Sequence, residues 1–240
     1  LINDLIDIDS DRSHPTKCKR PIAAGKIKPN IAFSFSLLLI AISLIISANI
    51  SNLIFLLLTL YLFIQILYCL FFKNKPILDI FSISAGFLLR ALVGVAAYGG
   101  NWSHWFLLTI GMLSLFLAIE KRKAELINTK NSLSLTRKVL KSYSLSLINK
   151  FETTVTSCLV MTYSLWSYGP TLGGSKSQWM MLTIPLVLLG IFRYQMLSDS
   201  FSNSDTLNSL ENPEKMIFID KPIQLIVLFW LLITITIGFS

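Results

Sequence analysis

Four acids crowd into the first eleven residues of this chain, and their spacing suits metal–phosphate chemistry. Residues 3–11 read Asn3-Asp4-Leu5-Ile6-Asp7-Ile8-Asp9-Ser10-Asp11. At roughly 100° per residue on a helix, Asp4, Asp7 and Asp11 fall within about 60° of one another, and Asp9 points away. Three carboxylates on one face repel each other unless a cation sits among them. Hard oxygen ligands suit Mg2+, which commonly binds through one or two carboxylates plus substrate phosphates. Asn3, Asp4, Asp7 and Asp11 are therefore the candidate metal ligands. Just downstream, Lys17, Lys19 and Arg20 can contact phosphate oxygens that a metal leaves free. Pro15 and Pro21 stop the helix and stiffen the loop. The plainer reading is an acidic helix end meeting water, balanced by its basic neighbours. The density of acids, followed by His14-Pro15 and three cations, favours the chemical one. His14 itself suits a phosphate contact and a loop hydrogen bond equally.

The elements that must position these residues are membrane helices. Of 240 residues, 53% are hydrophobic and 14% charged, whereas a soluble domain carries about a quarter charged residues. A hydrocarbon core about 30 Å thick takes roughly 20 helical residues to cross. Seven apolar stretches approach that length: about 31–50, 52–72, 77–97, 104–120, 153–169, 179–197 and 222–239. The expectation is all-α, a polytopic transmembrane helix bundle with seven full spans, forming a single membrane domain over 1–240. Leu1 to Ile8 read as the end of a helix that began upstream, so an N-terminal truncation is expected. Cys18, Cys69 and Cys158 have no metal-site spacing, and the latter two are most simply core residues.

Charge sets the orientation. Assigned alternately to two sides, residues 1–30, 73–76, 121–152 and 198–221 collect 18 of the 21 Lys and Arg. The positive-inside rule makes that side cytoplasmic. Topology accounts for most of the net charge of +8, and no soluble basic domain is present to carry a nucleic acid. The Asp-rich loop 1–30 and a basic loop 121–152 share this side, which points to a cytosolic substrate with a polar part.

Within the third span, Asp79, Ser82, Gly86 and Arg90 are spaced to line one helical face. An intramembrane Arg faces a wet cavity or a lipid phosphate, or closes a structural ion pair. Tyr68 and Lys73 end the preceding span, where they can reach a ligand or serve as interface anchors. The run Glu120-Lys121-Arg122-Lys123-Ala124-Glu125 is mostly cationic and supports a second magnesium cluster poorly. It suits a lipid monophosphate or a sugar phosphate. His104 and Arg193 read as interface or snorkelling residues, and 198–220 as a solvated connector.

These residues resemble a known group. Asn3-Asp4-x-x-Asp7-x-x-x-Asp11 at a helix end is similar to the first aspartate-rich motif of the UbiA-type prenyltransferase superfamily. The longer form through His14-Pro15-x-Lys17-x-x-Arg20-Pro21-Ile22-Ala23-Ala24-Gly25 resembles its phosphoribosyl-transferring branch. So do Tyr68 and Lys73 with Leu78-Asp79, Ser84 to Ala91, and Lys121-Arg122-x-Ala124-Glu125-Leu126. The resemblance implies a nine-helix fold, Mg2+, 5-phosphoribosyl 1-diphosphate as donor and a decaprenyl-like polyprenyl phosphate as acceptor. It implies catalytic roles for Asp4, Asp7, Asp11 and Asp79. Substrate contacts would come from Asn3, His14, Lys17, Arg20, Tyr68, Lys73, Arg90, Lys121, Arg122 and Glu125. It further implies a bacterial plasma membrane and a product used in cell-wall biosynthesis, and it leaves a homo-oligomer open. Two other readings compete: transfer of a prenyl group from its diphosphate to an aromatic acceptor, and a transporter or membrane scaffold.

Overall fold

The computed structural model describes residues 1–12, 17–99, 103–131, 138–200 and 219–239. Among them every regular element is a helix. The chain divides into two compact units, Leu1–Gly99 with Leu133–Val139, and Gly100–Ser132 with Leu140–Ser240.

The first unit opens with two short helices, α1 (Ile2–Ile6) and α2 (Ile8–Arg12). Three long helices follow: α3 (Pro29–Ile50), α4 (Asn52–Leu70) and α5 (Leu78–Tyr98). Pro29 begins α3, where its missing N–H would have no partner anyway and its fixed φ is already helical. Ser51 ends α3 and starts α4, its Oγ accepting a hydrogen bond from the Leu53 amide at 3.2 Å. A single capping residue therefore joins two antiparallel helices. Helix α4 packs on both α3 and α5, and α1 packs on α3 and α4. Gly86 faces α4, where an added Cβ would lie 2.7 Å from Nε2 at the flexible end of Gln65.

The second unit contains α6 (His104–Asn131), α7 (Leu145–Ser167), α8 (Ile184–Ser200) and α9 (Lys221–Phe239). Helices α6 and α7 form a hairpin, and α8 packs on α7 and α9. Phe116, Ala124, Leu159, Ile191, Tyr194, Leu197 and Ile223 form its core. A buried hydroxyl ties three segments together. Tyr163 on α7 meets Thr183 Oγ1 at 2.5 Å in the turn ahead of α8, and accepts from Trp230 Nε1 on α9 at 2.7 Å.

Both units expose long apolar side chains, Ile31, Phe33, Leu56, Phe63, Phe192 and Phe229 among them. Hydroxyls on these helices turn back to carbonyls of their own helix, as Ser43 does to Leu39 and Thr59 to Phe55. That arrangement gives these hydroxyls a partner within their own helix, where lipid offers none. Five helical segments are long and apolar enough to cross a membrane. The last helix is apolar over the shorter stretch Lys221–Ile237, and α7 carries Lys150 and Glu152 in its first half. The seven expected spans thus correspond to seven long helical segments, five of which qualify by length and apolarity together.

Two boundaries differ from expectation. The basic loop 121–152 is largely helical: α6 continues to Asn131 and α7 begins at Leu145. Its charges did not end the helices because several of them are buried between helices.

Candidate active site

Helices α1 and α2 do not form one continuous helix. They break at Asp7, which adopts φ −98° and ψ 12°. Hydrogen bonds from Asp7 N to Asn3 O and from Asp11 N to Asp7 O still span the break, so the acids stay close. Their partners nonetheless differ. Arg20 Nη1 donates to Asp4 Oδ1 at 2.7 Å and to Asp11 Oδ2 at 2.9 Å. Lys73 Nζ donates to Asp7 Oδ1 at 2.5 Å. Asp9 is fully exposed and pairs with Arg12 at 3.9 Å, on the opposite side as its spacing requires.

Two carboxylates therefore converge on one cation, and the third faces another. Among the described residues no group of three or more His, Cys, Asp or Glu is gathered to hold a metal. A donor set of Asp4 and Asp11 still fits Mg2+, which commonly takes one or two carboxylates and completes its octahedron with water and phosphate oxygens. Asp11 is the buried member of the pair, and Asp4 is partly exposed. Asn3 Oδ1 accepts a weak hydrogen bond from the Cys69 thiol at 3.7 Å. Cys69 thus touches the motif that its apolar surroundings in the sequence concealed.

The remaining candidates of the first unit lie on α4 and α5. Asp79 is completely buried in the first turn of α5. A strained turn delivers it there. Ile77 has φ 70° and ψ −49°, and Leu78 N bonds back to Pro76 O at 2.8 Å. A β-branched residue at positive φ costs of order 1–3 kcal/mol and is held only where its surroundings fix it. Ser82 and Gly86 are buried along the same helix, whereas Arg90 is exposed. The Arg90 guanidinium donates to the Tyr61 hydroxyl and lies 5.1 Å from that ring and 5.5 Å from Phe87. Tyr61, Gln65 and Cys69 recur every fourth residue on α4, a polar strip whose spacing was readable in the sequence. Tyr68 is half-buried in the last turn of α4.

His14 lies outside the described residues. Lys17 is placed only by its backbone, in the turn Lys17–Lys19. Lys121, Arg122 and Glu125 sit on α6 in the second unit. Arg122 is fully buried, and its Nη1 pairs with Glu125 Oε2 one turn on.

Comparison with known proteins fits this geometry. The UbiA prenyltransferase family matches residues 1–210. A decaprenyl-phosphate phosphoribosyltransferase of Mycolicibacterium smegmatis is 34% identical over 96% of this chain and 73% of its own length. One from Corynebacterium glutamicum is 32% identical, covering 96% of this chain and 68% of its own. A UbiA homolog from Archaeoglobus fulgidus, solved bound to DMAPP and Mg2+, superposes with a TM-score of 0.71 at 18% identity. That match covers 98% of this chain and 80% of the homolog. The chain is a multi-pass membrane protein that belongs to the UbiA prenyltransferase family, alongside proteins named decaprenyl-phosphate phosphoribosyltransferase.

Proposed function

We propose that this chain transfers 5-phosphoribose from 5-phosphoribosyl 1-diphosphate to a polyprenyl phosphate and releases pyrophosphate. The observation that carries the reading is Arg20 bridging Asp4 and Asp11. It brings together two carboxylates of the type that binds a metal and a guanidinium of the type that binds phosphate, which supports the reading. The names of the relatives support the phosphoribosyl group and the polyprenyl phosphate acceptor, and the diphosphate donor is our own reading of the Asp-rich motif. The C-terminal end of α6 agrees with that choice. Its acids Glu120 and Glu125 meet Ser198 and Arg122, and the run 120–125 carries three cations to two acids, which suits a phosphate better than a second magnesium cluster.

Asp4 and Asp11, with Asn3, would hold Mg2+, which when bound neutralises the pyrophosphate as it leaves. Arg20 binds phosphate oxygens through its planar fork. Lys73, kept close by Asp7, adds a second cation. As the bond from the anomeric carbon to pyrophosphate breaks, an oxygen of the lipid phosphate forms the new bond from the opposite face. An ionised phosphate needs no strong base to do this. Positioning and fixed charge then supply most of the catalysis. Asp79, buried at the start of α5, holds the donor's orientation, and Arg90 serves the lipid side. The charged helix ends and loops face the cytoplasm, where the donor is found.

The test is labelled phosphoribosyl diphosphate supplied with Mg2+ and a polyprenyl phosphate, with label followed into the organic phase. Magnesium-dependent lipid labelling is the expected result. Consumption of a prenyl diphosphate alone would keep the fold and overturn the donor.

A further inference from the structure

A second polar centre lies in the other unit and is independent of the proposed reaction. Residues 120–125 do not present one basic surface. At 100° per residue, Glu120 and Lys123 share a face of α6, and Lys121 and Glu125 share another. The Glu120/Lys123 face turns into the packing of α7 and α8. Lys123 Nζ donates to Glu152 Oε2 on α7 at 2.7 Å and lies 2.5 Å from Asp199 Oδ1 on α8. Gln195 Nε2 on α8 donates to Glu152 Oε1 at 2.9 Å and to Thr156 Oγ1 at 3.2 Å. Ser198 Oγ on α8 donates to Glu120 Oε2.

Both oxygens of Glu152 thus face strong donors, an ammonium and an amide. Glu120 differs. It is 1% exposed, and among the described residues its donor is a hydroxyl on Oε2 while its buried Oε1 has none. The Glu152 side chain lies against it. Two carboxylates in contact in an apolar core cannot both stay charged beside a single ammonium that one of them already engages. Asp199 adds a further negative charge to Lys123, and the neighbouring cation Arg122 is paired with Glu125.

We propose that one proton is held between Glu120 and Glu152, carried on Glu120 Oε1 and donated to Glu152. Glu120 is then a neutral acid that bridges α6 to α7 through its O–H and to α8 through its carbonyl oxygen. Every buried oxygen of the centre gains a partner, and the buried pair is reduced to one anion facing one cation. The bridge sits one residue before Lys121, so it fixes the rotation of the turn that carries it.

The experiment compares wild type, Glu120→Gln and Glu152→Gln as purified full-length protein in detergent. An amide at 120 reproduces a protonated acid: its nitrogen donates to Glu152 and its oxygen accepts from Ser198. E120Q is expected to melt within about 2 °C of wild type, and E152Q clearly lower, because it removes the ionised partner of Lys123. Infrared spectra at neutral pH should show a protonated-carboxyl band in wild type that shifts in D2O and is missing from E120Q. The absence of any E120Q-sensitive band overturns the proposal, as does an E120Q protein that melts as low as E152Q. A saturable stabilisation by Na+ or Mg2+ seen in wild type but lost in E120Q would also overturn it, by replacing the proton with a metal.

Discussion

Arg193 on α8 grips Asp220, the residue ahead of α9, through paired bonds of 3.1 Å from Nε and 2.8 Å from Nη2. Asp220 Oδ2 also accepts the Ile223 amide at 3.1 Å, so one carboxylate fastens α9 to α8 and caps it.

The Arg193 hydrogen bond holds the Asp220 carboxyl below the usual carboxylate range. Partial burial opposes it, and the Ile223 amide adds to it. A depressed folded-state value means the contribution is complete above the ordinary carboxylate value and is lost as pH falls through the lowered one. Asp220→Asn should therefore melt a few degrees lower than wild type at neutral pH. The gap should close on acidification, which thermal unfolding over a pH series measures.

Gly86→Ala sets a Cβ against Gln65 Nε2, the far end of a flexible side chain. The clash is relieved by turning Gln65 away, so the expected cost is modest, about 1 kcal/mol. A double variant with Gln65→Ala should recover most of it. Equal losses with and without Gln65 would show that the contact is not the cause, and a double-mutant cycle on melting temperature decides it.

Lys123→Met removes the cation from Glu152 and leaves a buried carboxylate without its ionic partner. The expected loss is about 3–5 kcal/mol. Adding Glu152→Gln removes the stranded charge and should return a large part. Urea unfolding of wild type and the two variants provides the comparison.

Asp4→Asn and Asp11→Asn should each lower transfer by roughly 100-fold or more, if the loss resembles removal of a principal electrostatic stabiliser. Asp9→Asn, whose side chain is fully exposed and faces away, should act like wild type. Label recovered in the organic phase at several Mg2+ concentrations measures all three.

Much of this architecture was legible beforehand, and the exceptions share a physical cause. The long helical segments fall where the apolar stretches lie, because lipid demands internally bonded backbone over about that length. Hydropathy failed at 121–131 and 145–152, since it reads charge as water. Lys123 and Glu152 are charged yet buried, each the other's solvent. The Asp4–Asp11 relation followed from helical spacing, but the break at Asp7 and its turn toward Lys73 did not. That partner lies 66 positions away, and no local periodicity encodes it. Cys69 against Asn3 and Ser198 against Glu120, 66 and 78 positions apart, were hidden for the same reason.

The clasp between Arg20 and Asp11 also has a meaning in polymer terms. It joins positions nine apart, which makes the intervening segment a small ring. Closing so short a ring costs little configurational entropy. Any cation carried on it meets the carboxylates at a local concentration set by ring size. Residues inserted into or deleted from that ring would therefore change how readily Arg20 meets Asp4 and Asp11 without altering one charge.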